Sequence, residues 1–285
     1  MERTPLDVDA LAPLIAPTGR WTSIQVLATA PSTNVQLVAA AAAGQVSAPA
    51  ALVAEHQTAG VGRAGRVWET PSYAALTMSA LLAPAVLADV RGWLPLLAGV
   101  AVVRVLRRAG VPAALKWPND VVLPAAAPVE GFGSWRKVAG VLVQGVPAAG
   151  DLVVVGIGLN VAQGAEELPV PTATSLALAG AHADRTSLLV DLLTELDGVT
   201  ARWAGDDGDA HAPGADGQPS LADEYGAMSA TLGAPVRVEL AGGAGTVEGT
   251  AAYLAIDGAL VVTRDDGSVR LVEAGDVHHL RRREP

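Results

Sequence analysis

The chain has 285 residues, 51% of them hydrophobic, so it can bury one large core and a small second one at roughly 100 to 200 residues per domain. A net charge of −10 argues against a nucleic-acid backbone as the main partner, because acidic surface and phosphate repel each other. With no cysteine, disulfides, Cys-ligated zinc and Cys nucleophiles are all excluded.

In chain order, residues 1–22 read as an N-terminal extension. Residues 1–13 carry Glu2, Asp7 and Asp9 and lack the basic start and apolar run of a secretion signal. A strand over 23–28 leads through Pro31-Ser32-Thr33-Asn34 into an Ala-rich helix over 35–43, with Ser32 or Thr33 near its cap. A strand over 51–55 is followed by a Gly/Arg-rich loop over 56–71. The next strand, 74–82, lies in the longest uncharged apolar stretch, 73–88. That stretch is short for a membrane span and holds Thr77, Ser79 and Pro84, so a soluble cytoplasmic chain is expected. An amphipathic helix over 93–110 ends at glycine, a strand spans 114–123, and 124–135 reads as a loop insert. Strands over 137–144 and 151–160 are apolar and β-branched, and 187–203 is a helix. Residues 205–220, rich in Gly, Asp and Pro, read as a linker or flexible loop. A short helix over 221–231 precedes five short strands, 236–240, 246–254, 260–264, 269–272 and 277–280. Asp257-Gly258 and Asp266-Gly267 supply hairpin turns among them. These divide the chain into an extension (1–22), a main domain (23–230) and a small β-barrel domain (231–285).

Gly60-Val61-Gly62-Arg63-Ala64-Gly65 matches G-x-G-x-x-G, but a dinucleotide fold needs a strand directly before it and a helix opening on its last glycine. Here the strand ends at Glu55, and Arg-Val-Trp-Glu-Thr-Pro follows Gly65. The segment fits a flexible anion-binding loop better. Its glycines admit close backbone approach, Arg63 and Arg66 present forked donors, and Trp68 offers a stacking face. Alone, it equally fits a solvated surface loop.

Lys116-Trp117-Pro118-Asn119-Asp120 holds one of only two lysines, the other being Lys137, among 19 basic residues. Lysine is a compact point charge that guanidinium does not copy, and Asp120 suits Mg²⁺ held jointly with phosphate oxygens. A GC-rich genome explains the arginine bias itself. Lys137-Val-Ala-Gly140-Val-Leu-Val-Gln144 and Val155-Gly156-Ile157-Gly158-Leu159-Asn160 are apolar strands with glycines where side chains would block a ligand; a bulge or close strand packing explains single glycines as well. Ser32-Thr33-Asn34 with Gln57 suits a neutral polar ligand head, and alone Ser-Thr-Asn is a helix cap. His278 and His279 are adjacent on a strand and point to opposite faces, and His56, His182 and His211 have no partner at metal spacing. Trp21, Trp93, Trp135 and Trp203 are packing residues.

Together and in this order, the motifs resemble the biotin protein ligase family, from about Ser23 to the C-terminus. The resemblance implies an α+β fold: a mixed-sheet catalytic domain related to class II aminoacyl-tRNA synthetases, then an SH3-like barrel. It implies ATP-dependent biotinylation of a lysine on the biotin carboxyl carrier protein domain of an acyl-CoA carboxylase, through biotinyl-5′-AMP. By resemblance, Ser32, Thr33, Asn34 and Gln57 hold the ureido ring of biotin, and Gly60, Val61, Gly62 and Arg63 close over biotin and the adenylate. Arg66, Trp68 and Asn119 serve ATP, Lys116 bridges the biotin carboxylate and the α-phosphate, and Arg63 assists it. Gly140, Gly156 and Gly158 line the pocket, Lys137 and Asn160 lie beside the nucleotide, and Asp120 holds Mg²⁺. The family loop usually reads Gly-Arg-Gly-Arg-x-Gly-Arg, and Val61 replaces its first arginine. Lipoate or octanoate ligases on the same fold, a biotin-responsive repressor and a non-catalytic biotin-binding module are the alternatives. The 31 residues before Ser32 are Pro-containing and not basic, which speaks against DNA binding.

Overall fold

A strand that is apolar on both faces needs cover on both, and the larger sheet shows where this chain finds it. In the computed structural model, which describes residues 3–279 except Thr18, Ala148 and Ala274, seven strands form this sheet. They are β1 (Ser23–Leu27), β2 (Ala50–Ala54), β3 (Ala75–Leu82), β4 (Ala114–Lys116), β5 (Asp120–Val129), β6 (Gly133–Gly145) and β7 (Val153–Asn160), in the order β1-β2-β3-β7-β6-β5-β4. Only β1 and β2 run parallel. Helix α1 (Thr33–Ala42) lays Leu37 and Ala41 over Leu52, Leu81 and Val154 on one face. The alternate residues Ala51, Val53, Ala80 and Val155 belong to the main core on the other face, with α2 (Leu94–Arg108) and α3 (Arg185–Gly205). Every residue of β3 is buried as a result. The α3 N-terminus is capped by Asp184, which accepts from the Ser187 N–H. Helix α4 (Leu221–Met228) starts in a reciprocal box between Ser220 and Asp223.

Two expectations change at the Lys-Trp-Pro-Asn-Asp segment. Residues 114–123 form not one strand but the end of β4, a turn over Trp117–Asn119 and the start of β5, with Lys116 opposite Asp120. Residues 124–135, expected as a loop, continue β5 and open β6 as a two-stranded arm turning at Gly131–Phe132. Its run of Ala and Pro has little strand propensity. The arm is held from outside, by a bond from the His279 N–H to Gly131 O and by contact of Phe132 with Lys116.

The N-terminal segment packs into the main domain rather than standing apart. Leu6, Leu11 and Trp21 are buried, and Glu55 accepts from the Leu6 N–H (2.6 Å) and from Arg185 (2.7 Å). Gly205 ends α3, and residues 206–220 beyond it lack strands and α-helix, yet they are tied down by Trp203 Nε1 donating to Gly208 O (2.6 Å) and by buried Ala210. Trp93 and Trp203 are fully buried, and Trp135 is half-buried on the arm. Among the described residues, no helix is long and apolar enough to cross a membrane.

The second sheet is antiparallel: β8 (Pro235–Leu240), β9 (Thr246–Leu254), β10 (Leu260–Thr263), β11 (Val269–Val272) and β12 (Gly275–His279), ordered β11-β10-β9-β8-β12. The pairing stays open, with β11 and β12 at its edges, and does not close into the expected barrel. Leu280 of the expected last strand lies outside the described residues, as do Met1, Glu2 and 281–285. Val236, Val238, Leu260 and Val277 join the main core, so the small sheet is fused to the large one. Two indoles fix the join: Trp93 Nε1 donates to Ile256 O (2.9 Å) and Trp117 Nε1 to Gly258 O (3.2 Å).

Candidate active site

Strand register lines the candidate residues up across the α1 face of the sheet. One cross-strand row runs Thr77, Gly158, Gly140, Asp120, Lys116, and the next runs Ser79, Gly156, Leu142. The glycines make room for side chains from elsewhere. A Cβ on Gly156 would lie 2.1 Å from Asn34 Oδ1, and one on Gly158 2.5 Å from the Trp68 indole.

Ser32, Thr33, Asn34 and Gln57 come together, as expected, around a cavity of about 60 Å³. Ser32 occupies the cap position of α1 without capping it. Instead Gln57 Oε1 accepts from the Thr33 N–H (2.8 Å), which frees the three hydroxyl and amide side chains for other work. Ser79 Oγ lies 2.7 Å from Thr33 Oγ1 and 2.6 Å from Asn34 Oδ1. Asn34 Oδ1 can only accept, so Ser79 donates to it, and the single Thr33 hydroxyl proton is shared between Ser79 Oγ and Gln57 Oε1 (3.1 Å). Asn34 Nδ2 then donates to Gln144 Oε1 (2.9 Å) and Leu142 O (3.2 Å). The result is a desolvated, uncharged, internally bonded surface. Its cavity is well below the roughly 300 Å³ of a usual small-molecule pocket, and the Trp68 indole takes up the space over Gly158. Trp68 Nε1 is buried there without a hydrogen-bond partner.

The Gly/Arg loop is cinched at its neck. Trp68 N–H donates to Gly60 O (2.9 Å), and Val61 bridges Val67 in antiparallel fashion. Only glycine fits at position 60, where a Cβ would meet Trp68 O at 2.3 Å. The tip turns through Ala64 and Gly65, both at positive φ, and delivers two arginines to different places. Arg63 Nη1 donates to Asn119 Oδ1 (2.9 Å), and Asn119 is itself clipped to Val141 through its amide and its backbone. Arg66 pairs with Asp276 of β12.

A wider cavity of about 430 Å³ opens beside the first, lined by Arg66, Trp68, Lys116, Asp120, Lys137 and Asp276 among others. The two lysines stand differently toward the two cavities. Lys116 lines this wide cavity alone. It is 5% exposed, donates to Val277 O (2.5 Å) and lies 4.5 Å from the Phe132 ring centre. Burial lowers its pKa, opposed by the charge of Asp120. Lys137 lines both cavities, and among the described residues the only other cation that does so is Arg63. The cause is a β-bulge. Val121 pairs with Ala139 but Val122 with Lys137, so Val138 is an extra residue. Val138 and Ala139 both enter the core, and Lys137 is turned onto the Gly140 face.

Lys137 Nζ sits 2.6 Å from Asp120 Oδ1 and 5.6 Å from the Trp68 ring centre. The carboxylate proposed for Mg²⁺ therefore holds a lysine, and Asp276 holds Arg66. Of the three carboxylates lining the wide cavity, Glu69, Asp120 and Asp276, two are thus paired with cations, and no group of three His, Asp or Glu forms a metal cage among the described residues. Asn160 lines the wide cavity, but its amide is committed to Thr174 O (2.9 Å) and Gln163 Nε2 (2.9 Å) and so holds the wall of the cavity. Sequence reasoning missed Ser79, Val277, Asp276 and Phe132. Only Ser79 left a trace, as a polar residue in an apolar strand.

Comparison with known proteins follows this geometry. Family models match residues 27–161 (biotin/lipoate A/B protein ligase family) and 231–280 (biotin protein ligase C-terminal domain). A biotin–[acetyl-CoA-carboxylase] ligase of Mycobacterium tuberculosis is 39% identical, over 98% of this chain and 97% of its own. One from Paracoccus denitrificans is 30% identical, over 88% of this chain and 98% of its own. The solved structure of a biotin protein ligase from Aquifex aeolicus, in complex with biotin and ATP, superposes with a TM-score of 0.71 at 26% identity, covering 92% of this chain and all of that one.

Proposed function

The chain belongs to the biotin protein ligase family, and from that premise we propose that its two joined cavities take biotin and ATP. It is then a ligase that activates biotin as biotinyl-5′-AMP and transfers it to a lysine on the biotin carboxyl carrier domain of an acyl-CoA carboxylase. The carrying observation is the junction. A small, neutral, amide-rich cavity meets a wide, charged one at Arg63 and Lys137.

The uncharged network of Thr33, Asn34, Gln57 and Ser79 suits the ureido head of biotin, whose amide groups exchange hydrogen bonds without carrying charge. Its bicyclic ring needs the space over Gly158 that the Trp68 indole holds, so the indole withdraws as biotin enters. The carboxylate then emerges at the junction, where the α-phosphate must also come. Two anions repel, and Lys137 and Arg63 lower that repulsion and stabilise the charge that grows as a carboxylate oxygen attacks phosphorus and pyrophosphate leaves. Asp120 holds Lys137 aimed at the junction. Lys116 and Arg66 face the remaining phosphates. Mg²⁺ would enter as the counterion of the nucleotide's phosphates, neutralising their charge, since Asp120 and Asp276 are engaged by Lys137 and Arg66. The cinched loop covers the product anhydride and keeps water from it. Val61 meets Val67 across the neck, so the arginine usual at its position is not needed to close the loop.

Biotin-dependent ATP–pyrophosphate exchange tests this. Lys137→Ala should reduce exchange by about 10²-fold or more, the scale of a lost transition-state partner. Lys116→Ala should act mainly through the KM for ATP. Undiminished exchange in Lys137→Ala removes the bridging role. Exchange driven by lipoate or octanoate but not biotin moves the chain to the sister ligases.

A further inference from the structure

A third cavity, of about 310 Å³, lies between the two domains on the far side of the Trp117–Asn119 turn. Its lining includes Arg63 and Asn119, the two residues that line all three cavities. We infer that it is the channel through which the acceptor's lysine side chain, a primary amine, reaches the adenylate. The inference rests on the ligase reading above, which requires three reactants to meet at one point and has so far housed two.

The walls of this cavity are built. Gly92 and the 257–258 turn meet backbone to backbone, where a Cβ on Gly92 would lie 2.2 Å from Asp257 O, and Trp117 Nε1 holds Gly258 O from within. Leu96, Val143 and Ala259 offer apolar surface to a methylene stem. Asp89, Asp257 and Glu273 supply carboxylates, and among the described residues Arg63 is the only cation in the lining. Asp257 spends Oδ1 on the Ala259 N–H (3.0 Å). Asp89 and Glu273 are exposed and face incoming charge. A chamber with apolar walls and an acidic rim selects an alkylammonium over an anion or a neutral chain.

The reaction balances at the inner end. The ammonium gives one proton to water at the acidic rim. The amine lone pair then attacks the carbonyl carbon of the mixed anhydride and a C–N bond forms. The bond from that carbon to the bridging oxygen breaks, AMP departs with the electron pair, and the remaining surplus amine proton passes to solvent.

The test is the double variant Asp89→Arg/Glu273→Arg, whose residues touch neither junction cation nor the other two cavities. The carrier domain of an acetyl-CoA carboxylase serves as one acceptor and hydroxylamine as a small uncharged one. We expect pyrophosphate exchange and hydroxylamine trapping to stay within about twofold of the unsubstituted chain, and the KM for the carrier to rise about tenfold, as a reversed charge on an encounter surface does. Asp89→Asn/Glu273→Gln should move the carrier KM in the same direction by less. An unchanged carrier KM overturns the channel. So does a fall in exchange matching the fall in transfer, because the cavity would then serve the first half-reaction. Absence of biotin-dependent exchange in the unsubstituted chain would instead overturn the ligase reading.

Discussion

On its neutral side the site is furnished by one sheet and the start of α1, with Ser79, Thr33, Asn34 and Gln57 satisfying one another away from water. On its charged side it borrows from the other domain: Lys116 relies on the Val277 carbonyl and Arg66 on Asp276, both on β12. A pocket for an uncharged head can be completed locally, because short polar side chains reach one another across adjacent strands. Lys137 finds its acceptor, Asp120, on the same sheet, but the further cations gathered there take acceptors from outside, because like charges on a single sheet face repel. The neutral side should therefore fail by steric intrusion and leave ATP alone, and the charged side should fail by domain separation and leave biotin alone.

Of the changes that separate the two sides, the largest effect should come from Gly156→Ala. Its methyl group would fall on Asn34 Oδ1, and neither the strand nor the Asn34 network can yield cheaply. Overpacking of this kind costs about 1–3 kcal/mol, so the KM for biotin should rise by about 10- to 100-fold with the KM for ATP unchanged. Equal changes in both would erase the distinction between the two sides.

Acid should open the charged side first. His279 is mostly buried beside Lys116, and burial pushes its pKa down to about 4. It stays uncharged and meets Thr231 Oγ1 at 3.1 Å, the same oxygen that accepts from the Trp117 N–H. The unfolded chain takes up this proton near the ordinary histidine value of about 6.5, before the folded one does. Stability is therefore complete above that value and is lost as pH falls toward about 4. The loss should be on the order of 2 kcal/mol, read as a falling Tm that His279→Gln flattens. Weaker ATP binding should accompany it, and biotin binding that weakens first would contradict the assignment.

The smallest effect concerns Asp276→Asn. Its pair with Arg66 is largely exposed, and such pairs contribute about 0–1 kcal/mol. Releasing Arg66 should lower the KM for ATP about twofold and raise escape of the adenylate by a similar factor, measured by hydroxylamine trapping in solution.

The helices, most strands along the chain, the hairpin turns at Asp257 and Asp266 and the motifs that line the two cavities were legible in the sequence. They depend on local periodicity and on glycines that admit close approach. The placement of Lys137 at the junction of the two cavities was not. Alternation along β6 sets Lys137 on the face opposite Gly140, and only an extra residue at Val138, fixed by pairing with β5, reverses it. The strand expected through Trp117 failed because apolar residues on both sides of Pro118 hide a turn whose indole is buried against the other domain. The β5–β6 arm and the β12 contacts were hidden for a related reason, since their cause lies in residues more than a hundred positions away.

The two lysines have a practical consequence beyond catalysis. Lys116 is bonded to a carbonyl and Lys137 to a carboxylate, both inside the cavity, and no other side-chain amine exists in the chain. As a labelling reagent it would carry almost no background of its own. Any mass added to its side-chain amines would report on one of two known positions, and any biotin found elsewhere in a mixture would belong to its neighbours.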